Sequence, residues 1–186
     1  MTTIQTYTGK HVDPFNLRPE QIDIQDIAHS LSLQCRFNGH CKEFYSVAEH
    51  SIRVSNILPA EFKLWGLLHD ATEAYLGDII TPIKKELCVF GPLGDDSLKI
   101  IEEWAAKVIA QKFGLVWPMP EEVHHADRVL LATEFRDLMF SSADPLCDLP
   151  EPLAERISPN KWLPKGAFLS TFHCLGGKLS NAKQSL

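Results

Sequence analysis

Between about residues 23 and 140 the apolar positions recur at spacings of three and four, the mark of amphipathic helices packed around a common core. Ile24, Ile27, Ala28 and Leu31 share one face of a first helix that begins near Asp23 and ends before the turn signal Asn38-Gly39. A second helix starts near Ser46, carries Val47, Ile52, Val54, Ile57 and Leu58, and is stopped by Pro59. The third is predicted over 61–76; Leu64, Trp65, Leu67, Leu68, Ala71 and Tyr75 give it an apolar surface wide enough to be central, and Gly77 caps it.

After Thr81-Pro82 the stretch 88–96 holds two glycines and a proline and reads as a loop. Helices follow over 97–113 and 121–140, separated by Pro118 and Pro120. Residues 1–20 read as an extended lead-in or short hairpin lying on the domain. The prolines at 145, 150, 152, 159 and 164 predict an irregular C-terminal wrap over 141–186 without long helices, fraying from Gly176 onward. The expected fold is all-α: one domain over 1–186, a bundle of about six or more helices with its core over 23–140.

Composition agrees, with 45% hydrophobic and 23% charged residues in a chain of 186. A net charge of −6 argues against duplex nucleic acid as a partner, because such binding depends on neutralising phosphates with Lys and Arg. A small anion in a locally basic cleft remains compatible with that charge. The five cysteines are scattered, with no Cys-x-x-Cys pair, which fits a reduced compartment. The N-terminus lacks an apolar signal core and no apolar run approaches membrane-spanning length, so a cytoplasmic protein without a membrane partner is expected.

The chemistry concentrates in the third helix, where His69 and Asp70 sit among Leu67, Leu68, Ala71 and Ala74. An ionisable pair on so apolar a helix costs several kcal/mol unless bonded, and a divalent cation compensates well. Imidazole and carboxylate suit zinc, cobalt, manganese or iron, but two ligands from one helix do not fill a coordination sphere. His50, between Ala48 and Ile52, and Asp127, between Val123 and Leu130, are the further His and Asp on core-bearing faces. His29 reads as an ordinary core histidine, His11 and His173 as surface residues in terminal loops, and His124 and His125 as a solvated helix start.

The order His, His-Asp, Asp on separate helices resembles the HD superfamily of metal phosphohydrolases. The runs 45–51 (Tyr-Ser-Val-Ala-Glu-His-Ser) and 69–78 (His-Asp-Ala-Thr-Glu-Ala-Tyr-Leu-Gly-Asp), followed by Thr81-Pro82-Ile83-Lys84, are similar to the YfbR-type deoxyribonucleoside 5'-nucleotidase branch, which includes phage enzymes acting on dATP. The likeness spans about 24–138 and implies metal ligation by His50, His69, Asp70 and Asp127. It also implies that Glu73, one turn beyond His69, positions or deprotonates the attacking water.

Asp78 sits at the negative end of its helix dipole, so it needs another reason to be there: a second ion such as magnesium or cobalt, the leaving-group proton, or helix-ending turn chemistry. Arg36 and Lys84 are candidate phosphate cations, and His40, just after Asn38-Gly39, is a third candidate substrate contact. Phe37 stands where the nucleotidases carry Trp, so it keeps a stacking surface but lacks the indole N–H.

The expected activity is hydrolysis of a deoxyribonucleotide, as 5'-nucleotidase on a dNMP or triphosphohydrolase on a dNTP. The alternatives are a phosphodiesterase for cyclic or signalling nucleotides and a non-catalytic nucleotide-binding module. The helix over 97–113 is more apolar than one core face needs, which fits either a buried bundle helix or a homo-oligomer contact.

Overall fold

The computed structural model describes residues 3–91, 94–140, 149–160 and 164–177. A small hairpin of β1 (Ile4–Gln5) and β2 (His11–Val12) opens the chain, with Gly9 at φ 84° in its turn. Thr8 pins this hairpin to the next element: its N–H and hydroxyl donate to the buried Asp26 carboxylate at 2.6 and 3.0 Å.

Two helices begin on side-chain caps, as their sequences predict. Asp23 accepts from the Gln25 N–H at the start of α1 (Ile24–Leu33), and Ser46 accepts from the Glu49 N–H at the start of α2 (Val47–Ile57). Ile24, Ile27, Ala28 and Leu31 of α1 face inward, joined by Val47, Ala48 and Val54 of α2.

The third predicted helix is not continuous. The structure divides it into a single turn at Ala60–Phe62, α3 (Lys63–Leu68), a tightened turn over 69–72, and α4 (Glu73–Leu76). Through the turn the backbone bonds shorten to i→i−3: Ala71 N–H to Leu68 O, Glu73 N–H to Asp70 O and Ala74 N–H to Ala71 O, at 3.0–3.3 Å. His69 and Thr72 keep right-handed helical dihedrals, so the coil is overwound here rather than broken. Gly77, at φ 86°, caps α4 by donating to Glu73 O. Gly66 lets α3 approach α2, since a Cβ there would meet the Leu58 side chain and lie 3.0 Å from the Ser55 backbone.

After α5 (Thr81–Lys84), residues 88–96 are not the expected loop. Strands β3 (Cys88–Gly91) and β4 (Gly94–Ser97) pair antiparallel, consistent with the extended preference of the Val89-Phe90 pair. The long helices α6 (Leu98–Phe113) and α7 (Glu121–Leu138) follow, close to their predicted spans. Ala105, Val108 and Ile109 of α6 are buried within the chain, while Ile100 stays exposed.

The C-terminal expectation holds for one part and fails for another. Over 149–160 the chain does wrap irregularly across α7: Leu153 N–H donates to Thr133 Oγ1, Ile157 N–H to Asp137 Oδ2, and Arg136 reaches the carbonyls of Leu153 and Glu155. Pro164, however, begins an eleven-residue helix, α8 (Pro164–Cys174), instead of preventing one, because a proline in the first turn has no N–H to waste. His173 therefore lies on α8, exposed, and not in a loop. The expected fraying falls, for residues 178–186, outside the described residues, as does the wrap expected over 141–148 and 161–163, and with it Cys147. The other four cysteines are thiols.

Phe168 and Phe172 of α8 are fully buried and join one apolar cluster that also takes in Val12, Ile27, Val47, Leu67 and Ile109. A second cluster, with Trp65, Val54, Ala110, Val123 and Leu130, fills the space between α2, α3, α6 and α7. Among the described residues no helix is long and apolar enough to cross a membrane.

Two substitutions probe this packing. Phe172→Ala is expected to cost about 3–5 kcal/mol in urea unfolding, because a fully buried ring is lost; an unchanged midpoint would contradict the place of α8 in the core. Gly66→Ala, by forcing α2 and α3 apart, is expected to lower stability by about 1–3 kcal/mol in the same assay.

Candidate metal centre

Three elements deliver one cluster of donors. His50 lies one turn into α2 and is fully buried, His69 and Asp70 occupy the overwound turn after α3, and Asp127 comes from the second turn of α7. The Nε2 atoms of His50 and His69 are 3.2 Å apart, and Asp127 Oδ1 lies 3.1 Å from the first and 3.8 Å from the second. Asp70 Oδ2 is 3.2 Å from His69 Nε2 and 3.6 Å from His50 Nε2.

The far side of each ring decides what the near side offers. His50 Nδ1 lies 2.7 Å from Glu134 Oε1, and His69 Nδ1 lies 2.8 Å from the Gly66 carbonyl oxygen. Both partners only accept, so each Nδ1 carries the hydrogen, and when the rings are neutral each turns an Nε2 lone pair to the same place. Two lone pairs and carboxylate oxygens do not satisfy one another; protons on the rings or a cation between them do. The donors of His50, His69 and Asp127 all lie within 4.8 Å of one another, and together they could hold a metal ion.

The electrostatics agree with a site built for positive charge. Burial disfavours charge on both histidines, yet the carboxylates outweigh it: Glu134 and Asp127 raise His50, and Asp70 and Asp127 raise His69 well above its ordinary range. Burial likewise opposes the charges on Asp70 and Asp127, but the same imidazoles bring Asp70 down to about 2 and hold Asp127 well below the carboxylate range.

Around this cluster the remaining candidates are placed unevenly. Glu73 is buried, and its Oε2 has no hydrogen-bond partner among the described residues. Burial first, then Asp70 and Asp78, push its carboxyl well up against the pull of Arg36 and Lys84. Asp78 lines the same cleft, raised mainly by burial, with its N–H donating to Gln34 Oε1. Arg36 does not project freely: it bonds Glu134 Oε2 through Nε and Nη2, both at 3.2 Å, and approaches Asp70 at 3.5 Å. Lys84 is paired with Glu102 at 2.8 Å. His40 is exposed at the end of the Arg36–Gly39 turn and lines neither cleft beside the cluster.

Two clefts meet at Asp70, Glu73, Lys84 and Asp127. One, of about 590 Å³, is walled by Phe37, Leu131 and Phe135 together with Arg36 and Lys85. Phe37 stands in the left-handed region at φ 56° and meets Phe135 edge-on at 5.1 Å. For a non-glycine residue that backbone is strained, and the surroundings hold it there. The other cleft, of about 620 Å³, is walled by Trp117, Met119 and His124. His124 and His125 are exposed at the start of α7, and His29 stacks on Tyr7 at 3.9 Å.

Sequence reasoning missed Glu134, fully buried yet ionised: burial opposes its charge, but Arg36 and His50 outweigh it and hold its carboxyl below the ordinary range. The signal existed. Residue 134 lies two turns beyond Asp127 and one turn from both Leu130 and Leu138, on the buried stripe of α7.

The chain is 44% identical over 138 residues to the Uncharacterized protein YfdR of Escherichia coli K12, covering 74% of this chain and 73% of that protein. The chain belongs to the YfdR family. A second relative, the Uncharacterized protein RCAP_rcc00048 of Rhodobacter capsulatus, is 32% identical over 194 residues, covering 93% of this chain and 95% of that protein. No known family profile matches the sequence.

If the YfdR-family cluster holds a metal, cobalt(II), manganese(II) or zinc(II) will raise the melting temperature and a chelator will reverse the rise. His69→Ala is expected to abolish that response and to weaken binding, measured by calorimetry, by more than the about 10–100-fold typical of losing an outer partner.

Proposed function

We propose that the protein is a metal-dependent phosphohydrolase acting on deoxyribonucleotides. The observation that carries this reading is the convergence of two imidazole Nε2 atoms and one Asp127 oxygen near a buried Glu73 whose Oε2 has no hydrogen-bond partner among the described residues, at the meeting of two clefts. The sequence likeness to the HD superfamily, carried by residues 45–51 and 69–78, points to the same chemistry.

His50, His69 and Asp127 would hold the ion, with Asp70 beside them; zinc, cobalt, manganese or iron suits that donor set. When bound, such an ion polarises a phosphoryl oxygen and lowers the pKa of water. The rest falls to the chain. Glu73, whose surroundings favour its taking up a proton, would accept one from the attacking water. Asp78, raised by burial, would return a proton to the leaving oxygen. Phe37, Leu131 and Phe135 give the base and sugar an apolar wall.

Charge balance favours the monophosphate. That cleft is lined by three cations, Arg36, Lys84 and Lys85, against four acids, Asp70, Glu73, Asp78 and Asp127. Arg36 and Lys84 are already paired. Even with a divalent ion the cleft keeps little unpaired positive charge, which suits a phosphomonoester better than a triphosphate.

The test is product analysis by anion-exchange chromatography of the metal-loaded protein with each dNMP and dNTP. Orthophosphate from dNMPs is expected, with Glu73→Ala lowering kcat by about 10²–10⁴-fold while metal still binds. Intact triphosphate from a dNTP would instead establish triphosphohydrolysis. No product from either panel, with Glu73→Ala indistinguishable from wild type, would sink the deoxynucleotide reading and favour signalling nucleotides as substrates.

A further inference from the structure

Glu134 is the one fully buried carboxylate of α7, and its two oxygens serve different partners. Oε1 lies 2.7 Å from His50 Nδ1, while Oε2 takes the Nε and Nη2 of Arg36, each at 3.2 Å. Arg36 in turn lies 3.5 Å from Asp70 Oδ2. A chain of contacts thus runs from the wall of the Phe37 cleft, through Glu134, to the back of the most deeply buried donor.

We propose that Glu134 is a positioning residue for the metal centre: by accepting from His50 Nδ1–H and from Arg36 at once, it fixes the tautomer that aims His50 Nε2 at the metal. The inference rests on the metal reading above for its functional consequence, but its structural content concerns a proton on one ring. Only a group that accepts at both ends fits between these partners, since Arg36 offers donors alone and cannot be deprotonated.

A glutamine does not replace it. With its oxygen toward Arg36, its amide NH2 faces His50 Nδ1, which must then accept; the hydrogen moves to Nε2 and blocks the donor. With its oxygen toward His50, the NH2 faces the N–H groups of Arg36. One of the two partners is always opposed. The assignment also gives Arg36 a role apart from substrate. Its guanidinium balances Glu134 and stands beside Asp70, so it orders the centre before any anion arrives.

The experiment uses the full chain with two readouts. In the metal-free protein at alkaline pH, where both imidazoles are neutral, long-range nitrogen–proton spectra of the histidine rings report the tautomer. Wild type is expected to carry the hydrogen on His50 Nδ1, and Glu134→Gln to shift it toward Nε2. Cobalt(II) titration followed by visible absorption, at a temperature where the metal-free variant remains folded, is expected to show binding weakened by about 10–100-fold in Glu134→Gln.

Glu134→Asp keeps the charge beside Arg36 but withdraws the acceptor from His50. It is expected to move both readouts in the same direction, and it serves where the glutamine variant does not fold. An unchanged His50 tautomer in the variants, or cobalt affinity equal to wild type, overturns the assignment. A tautomer shift in a protein whose wild type binds no metal upholds the role of Glu134 toward His50 and overturns the metal reading instead.

Discussion

Two imidazole Nε2 atoms that face one another at 3.2 Å, with carboxylate oxygens at 3.1–3.8 Å, form an arrangement that stands only if positive charge sits among them, as protons on the rings or as a bound cation. The geometry is forced from behind. Glu134 and the Gly66 carbonyl each take an Nδ1 hydrogen, and the lone pairs have nowhere else to point. Much of what is unusual in this molecule follows from keeping that arrangement intact in an apolar interior: the overwound turn, the buried glutamate and the paired arginine.

The backbone contributes most at the turn over 69–72. A regular helix would carry His69 and Asp70 at its own pitch; i→i−3 bonding instead tightens the coil where the donors leave it, while the His69 ring returns to the Gly66 carbonyl. Gly66 has a second duty, since its missing side chain lets α3 lie against α2 and brings the two histidines within reach. Restraint of this kind comes from α8 and from the wrap over 149–160, which hold α1, α2 and α7 from outside.

Acids outnumber cations around the cluster, and the protein partly balances them itself. Arg36 neutralises Glu134 and faces Asp70, and Lys84 holds Glu102, so little unpaired positive charge is left for a substrate. Glu73 is the exception among the acids, with no partner for its inner oxygen and Asp70 and Asp78 as close charges. A carboxylate in that setting takes up a proton readily, the property a proton acceptor next to a cation needs.

Helix starts at Asp23 and Ser46, the stop at Gly77 and the face that α1 buries were all legible in the chain, because caps and apolar periodicity are local chemistry. The grouping of His50, His69 and Asp127, with Asp70 beside them, was also foreshadowed, since an ionisable group on an apolar face announces a cost that something must offset. Glu134 carried the same signal and was passed over, because a single glutamate among helical positions does not reveal whether its neighbours on other elements are donors.

Tertiary structure alone decided the rest. It overwound the third helix, paired residues 88–91 with 94–97, turned Pro164 from a barrier into a helix start, and brought Arg36 to Glu134 across nearly a hundred positions. Periodicity records which face of an element is apolar, but not how far apart two faces come to rest. Hydrogen-bond direction and charge pairing, on which the chemistry depends, are fixed only by that distance.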